Sequence, residues 1–167
     1  IEKYESITDN MEIEIGKYLR RVSEGRLSNE SKGRLQKMMR QIGELESVGD
    51  SCYNLGRTLN RRRKNSKDDF TAEQMTHMHA MLALVDKAVA EMVRLVRTAP
   101  DQQNVNINNS HNIELEINGL RKQLKKQNLQ DVNDGVYSYQ LGVFYVDFIS
   151  ECEKLGDYVM NVVQATK

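Results

Sequence analysis

Apolar residues recur every three to four positions along nearly the whole chain, and no stretch alternates with period two. That pattern predicts helices and no sheet. A first segment over about 2–23 sets Tyr4, Met11, Ile15, Tyr18 and Val22 on one stripe. The run Glu24-Gly25-Arg26-Leu27-Ser28 interrupts it, Gly25 offering a left-handed cap and Ser28 an N-cap for the next helix. That long second helix, about 29–63, carries Leu35, Met38, Ile42, Leu45, Leu55 and Leu59. Thr71 and Gln74 have the form of a capping box and open a third helix that runs through Val96. Pro100 and the Asn-rich run 102–112 read as the only sizeable loop. A fourth helix is expected over about 113–127 and a fifth over about 132–165. Long helices joined by short turns predict an all-α antiparallel bundle of about five helices.

Composition supports this. A single proline fits helix interiors, and 39% apolar with 29% charged residues fits long solvated faces. Lys+Arg and Asp+Glu both total 24, so nothing favours a nucleic-acid partner. Cys52 and Cys152 sit at helical spacing among apolar residues and are expected as buried, reduced thiols, pointing to a reducing compartment. No run of about 18 apolar residues marks a membrane span. The start at Ile1 instead of Met is what a piece cut from a longer protein would show. Arg61-Arg62-Arg63-Lys64 complements the dipole at the end of the second helix, with a phosphate, lipid or nucleic-acid patch as the alternative.

The second and fifth helices contain the same phrase. Glu44, Glu46, Gly49, Asp50 and Asn54 recur 107 residues later as Glu151, Glu153, Gly156, Asp157 and Asn161. Ile42 recurs as Ile149. The helices before them correspond more loosely: Glu5 and Asp9 align with Glu114 and Asn118 at an offset of 109.

These acidic positions carry the candidate chemistry. Residues four apart stack on one helix face, so Glu46 with Asp50, and Glu153 with Asp157, present paired carboxylates. Projection at the helical period places both pairs inside an apolar face, where like charges need compensation. A metal ion would serve, and so would a buried salt-bridge network. Carboxylates without His or Cys suit hard cations such as Mg²⁺, Ca²⁺, Mn²⁺ or iron. Gly49 and Gly156 each cost about 1 kcal/mol of helix propensity, so they are expected to allow close helix approach or leave room for a ligand. His77, His79 and His111 are read as lying away from the pairs, the first two as surface or boundary residues. No nucleophile–base constellation and no Glu-x-x-His pair is present, so no catalysis is expected. A helical carboxylate–metal phosphohydrolase is the alternative from the enzyme class.

The phrase from Leu45 through Gly49-Asp50 to Asn54 resembles the signature helix of the PhoU family, Glu-x-Ile-Gly-Asp followed by Asn-Ile/Leu. Glu153-Lys154-Leu155-Gly156-Asp157, with Asn161, matches it again. Glu114-Leu115-Glu116-Ile117-Asn118-Gly119-Leu120-Arg121 further resembles the PhoU-like tail fused to bacterial sodium/phosphate cotransporters. The resemblance implies two three-helix repeats with pseudo-twofold symmetry in one compact domain. Residues 1–70 would be a first repeat lacking its first helix, and 71–167 a complete second one. It implies metal held by Glu46, Asp50, Glu153, Asp157, Glu5, Asp9 and Glu114, with iron, manganese, magnesium, calcium and zinc as candidates. It also implies a non-catalytic, cytoplasmic role in regulating phosphate uptake, with the parent protein in the inner (plasma) membrane. Partners would be the transporter's membrane domain or other uptake components, and a homodimer is compatible. A free-standing regulator contacting a transporter or sensor kinase, and a helical interaction module without ligand, are the alternatives. Asn118 in place of an aspartate, and Arg40 where the second unit has Asp147, depart from equivalence of the two sites.

Overall fold

Five α-helices make up the computed structural model, which describes residues 2–65, 68–98 and 105–167. They are α1 (Glu2–Ser23), α2 (Asn29–Asn65), α3 (Ala72–Thr98), α4 (Asn108–Asn133) and α5 (Tyr139–Gln164), with no strand among the described residues. The expected all-α bundle is therefore observed. Two of the expected caps form as read. The Ser31 N–H donates to Ser28 Oγ at 3.1 Å. At α3, the Gln74 N–H donates to Thr71 Oγ1 at 3.1 Å and the Thr71 N–H to Gln74 Oε1 at 3.0 Å, a reciprocal capping box.

Three boundaries differ from the sequence reading. Gly25 does not take a left-handed conformation; among the described residues only Gly135 does, at φ 71°. The helical part of the Asn-rich run begins at Asn108, because the Asn106 side chain accepts its N–H at 2.9 Å and Ile107, Ser110 and Ile113 are buried. The part of that run at 102–104 lies outside the described residues. The break before α5 falls at 134–138 and not at 128–131. Gly135 turns the chain while the Val136 N–H closes onto Asp131 O at 2.9 Å, and Ser138 then caps α5 by accepting from the Leu141 N–H.

Packing is uneven. α5 touches α2, α3 and α4, and α3 touches α4, whereas α1 touches α2 alone. The core is accordingly built on α5, with Phe148, Ile149, Cys152, Leu155 and Val162 meeting Met81 and Leu95 of α3 and Ile113, Ile117 and Leu124 of α4. Each such side chain contributes about 1.5–3 kcal/mol by burial. α2 adds Leu55 to this cluster and α1 adds nothing. The buried residues of α1 are Gly16 and Leu19. Its apolar stripe faces outward: Tyr4 is 73% exposed, Tyr18 65% and Met11 55%, with Ile7 and Ile15 also exposed. A helix with a single neighbour can bury only one flank, and here the flank carrying Thr8, Glu12 and Gly16 is spent on α2.

Cys152 is buried as expected, but Cys52 is exposed, because α2 turns Ser51, Leu55 and Thr58 inward and leaves the adjacent side open. Two cations at the basic end of α2 have partners in the fold. Arg61 pairs with Asp147 of α5 at 2.9 Å, and Arg62 lies over the Phe70 ring while pairing with Asp69. No helix of the described residues is long and apolar enough to cross a membrane.

Candidate metal centre

Two acidic groups form, one on each hairpin. In the α1–α2 hairpin, Glu5 and Asp9 are one turn apart on α1, and Asp50 reaches them from α2. One carboxylate oxygen from each lies within 4.8 Å of the other two. Hard cations hold their oxygens at about 2.0–2.6 Å, so two ligands of one ion are separated by no more than about 5 Å. The approach of the helices depends on Gly49, where a Cβ would stand 2.7 Å from Thr8 Oγ1. Asp9 Oδ1 is buried and has no hydrogen-bond partner. Glu46 is held above the ordinary carboxylate range, first by burial and then by Asp50, Glu12 and Asp9. Among the described residues no Lys or Arg forms an ion pair with any of these five carboxylates. The donor set, all oxygen and uncompensated, fits a hard cation.

The α4–α5 hairpin is arranged differently. Burial, followed by Glu153 and Glu114, raises the Asp157 pKa, while Arg121 draws it back down. Arg121 Nε stands 3.1 Å from Glu153 Oε1, a charge contact between side chains only 24% and 19% exposed. His111 Nδ1 lies 3.4 Å from Glu114 Oε2, one turn on along α4, and among the described residues it pairs with neither Glu153 nor Asp157. His79 is exposed, and His77 is half-buried with Nδ1 3.2 Å from the Tyr145 hydroxyl. Close approach again occurs at the glycine, since a Cβ on Gly156 would lie 3.0 Å from Ile117 Cδ1.

The seven residues singled out in the sequence thus fall into Glu5, Asp9, Asp50 and Glu46 on one hairpin and Glu114, Glu153 and Asp157 on the other. The expectation that both pairs lie wholly inside an apolar face is corrected. Glu46 and Glu153 are half-buried, but Asp50 and Asp157 are exposed, because the seam between two helices buries the first member and leaves the second at its edge. Two residues were missed, Glu12 and Arg121. They occupy the same place in the 109-residue alignment of the two hairpins, seven positions beyond Glu5 and Glu114, and extending that alignment two turns would have found them. No family model, curated protein or solved structure matches the chain, so the likeness to PhoU rests on the phrases quoted above.

Proposed function

We propose that the α1–α2 hairpin binds one hard divalent cation and that the chain is a non-catalytic, PhoU-like regulatory domain acting in phosphate uptake, as the cytoplasmic tail of a sodium/phosphate cotransporter. One observation carries the metal reading: oxygens of Glu5, Asp9 and Asp50 from two helices converge within 4.8 Å with no neighbouring cation. These three would hold the ion, with Glu12 and Glu46 adding negative potential. The ion would neutralise the cluster and fasten α1 to α2. In the α4–α5 hairpin Arg121 fills that electrostatic role, so one cation per chain is expected. The pseudo-twofold repeat is supported by the matched phrases and by close contacts at Gly49 and Gly156. The phosphate role is supported by the family resemblance.

An interaction module is a second reading, favoured by the exposed stripe of Tyr4, Ile7, Met11, Ile15 and Tyr18. The two readings join if cation occupancy fixes α1 and so presents this stripe to the transporter. Calorimetric titration of EDTA-treated protein with Mn²⁺, Ca²⁺ and Mg²⁺ tests the site. Asp9→Asn/Asp50→Asn should weaken binding by about tenfold or more, while Asp157→Asn leaves it unchanged. No binding by the parent, or equal loss in Asp157→Asn, would sink the proposal. Phosphate uptake by cells carrying the double variant tests the regulatory part, and wild-type uptake would argue against it.

A further inference from the structure

Where the second half of α2 crosses α5, a cleft of about 490 Å³ opens to solvent, its lining including Asn54, Arg57, Arg61, Lys64, Asp147 and Glu151. That volume falls within the roughly 300–1,000 Å³ of small-molecule sites. The cleft shares no residue with either acidic group, and its argument does not depend on the cation.

Glu44 and Asn161 form a bond across the α2–α5 contact, the Asn161 Nδ2–H donating to Glu44 Oε2 at 3.0 Å. The 107-residue correspondence turns this pair into Asn54 and Glu151, which both line the cleft. Here the pair is open. Glu151 Oε2 is shut off from water and accepts no hydrogen bond, and among the described residues Asn54 has no side-chain partner. The same two residue types thus satisfy each other on one side of the contact and leave an acceptor and an amide unused on the other.

Both sides hold positive charge, but at different positions, Arg40 on the closed side taking the place of Asp147 on the open one. Among the described residues, Arg57 is exposed and has one ring contact, the face of Tyr53 5.9 Å away, while Lys64 has no ion-pair partner. The position matching Arg57 on the closed side is Gln164. Arg61 is engaged by Asp147 and serves as a wall of the cleft. A ligand that fits this surface brings an anion to Arg57 and Lys64 and donates hydrogen bonds to the Asn54 carbonyl oxygen and to Glu151 Oε1, the oxygen of that carboxylate that is not closed off. A compact polyanion is disfavoured, because Asp147 and Glu151 would repel it.

We infer that the cleft binds a phosphomonoester bearing free hydroxyls, of the sugar-phosphate or nucleoside-monophosphate class. The phosphate lies against Arg57 and Lys64, and hydroxyls donate to Glu151 and Asn54. Calorimetric titration in EDTA with AMP, ribose 5-phosphate, inorganic phosphate and ribose tests it. The two esters should bind at least about tenfold more tightly than phosphate or ribose. Arg57→Glu/Lys64→Glu, at two exposed positions and with folding checked by circular dichroism, should weaken the esters by about tenfold or more. Glu151→Gln should weaken the esters several-fold yet strengthen inorganic phosphate, a split that a structural role would not produce. No ester binding up to about 10 mM, phosphate binding as tight as the esters, or indifference to charge reversal would each overturn the inference. Asp9→Asn/Asp50→Asn should bind the esters as the parent does, which separates this site from the cation reading.

Discussion

The α1–α2 hairpin brings Glu5, Asp9, Glu12, Glu46 and Asp50 into one electrostatic neighbourhood, and the α4–α5 hairpin brings Glu114, Arg121, Glu153 and Asp157 into another. Both use a carboxylate pair one turn apart beside a glycine at the closest helix approach. They part at Asp9 against Asn118, and in sign of charge at Glu12 against Arg121. An arginine there supplies a permanent counter-charge through its 3.1 Å contact with Glu153, whereas a glutamate adds to the repulsion. One hairpin carries its own counter-charge, and the other has none among the described residues, which is the ground for the proposed cation. Whether a carboxylate cluster is a staple or a site is therefore decided by its unlike neighbour more than by the carboxylates.

The largest expected effect separates the hairpins by cation. At a hundredfold excess over its Kd, a cation bound to the folded state alone adds about 2.7 kcal/mol. Thermal melts with Mn²⁺ or Ca²⁺ should show that gain in the parent and in Asp157→Asn, and lose it in Asp9→Asn. Next in size is Arg121→Ala, which strands the half-buried Glu153 beside Asp157 without the arginine's counter-charge. A loss of about 1–3 kcal/mol in urea unfolding is expected, and an unchanged midpoint would remove Arg121 from the comparison.

The glycines provide a smaller contrast. Alanine gains about 1 kcal/mol of helix propensity at either site. At Gly49 the new methyl meets Thr8 Oγ1, which donates to Glu5 O at 2.7 Å, so Gly49→Ala should cost about 1 kcal/mol net and loosen the cluster. At Gly156 it meets the movable tip of Ile117, so Gly156→Ala should be close to neutral. Denaturation curves in the reverse order would contradict this account.

The smallest effect concerns Glu46, whose folded pKa lies above its ordinary 4.5. The folded state holds this proton more tightly than the unfolded state. Its stabilising contribution is therefore full below the ordinary value and is lost as pH rises through the raised one. Without metal, Glu46→Gln should be more stable than the parent by roughly 0.5 kcal/mol near pH 7. The difference should close as pH falls below the ordinary value, and stability measured across that range checks it.

How far these features are legible in the sequence depends on how local their causes are. The starts of α2 and α3 are written in Ser28 and in Thr71 with Gln74, because a cap is made by residues three apart. The α4–α5 boundary was misplaced although Gly135 and Ser138 mark it, because the apolar spacing continues across the turn and outweighs them. Nothing local says that the stripe of Tyr4, Met11 and Tyr18 remains exposed; that follows from α1 having one neighbour. The acidic residues were visible through their spacing and repetition. The convergence of Asp50 with Glu5 and Asp9, and the decisive position shared by Glu12 and Arg121, required the hairpins to be closed.

That single neighbour has a kinetic consequence. With only Gly16 and Leu19 buried, α1 is the part of the fold that opens most cheaply, ahead of the α3–α4–α5 core. Opening it parts Glu5 and Asp9 from Asp50 and so dismantles the proposed cation site without disturbing the rest. Amide exchange along α1 then becomes a gauge of cation occupancy. Each tenfold rise in free cation beyond its Kd should slow exchange there about tenfold, and amides of α5, which exchange through global unfolding that also releases the cation, should slow in parallel from their higher protection.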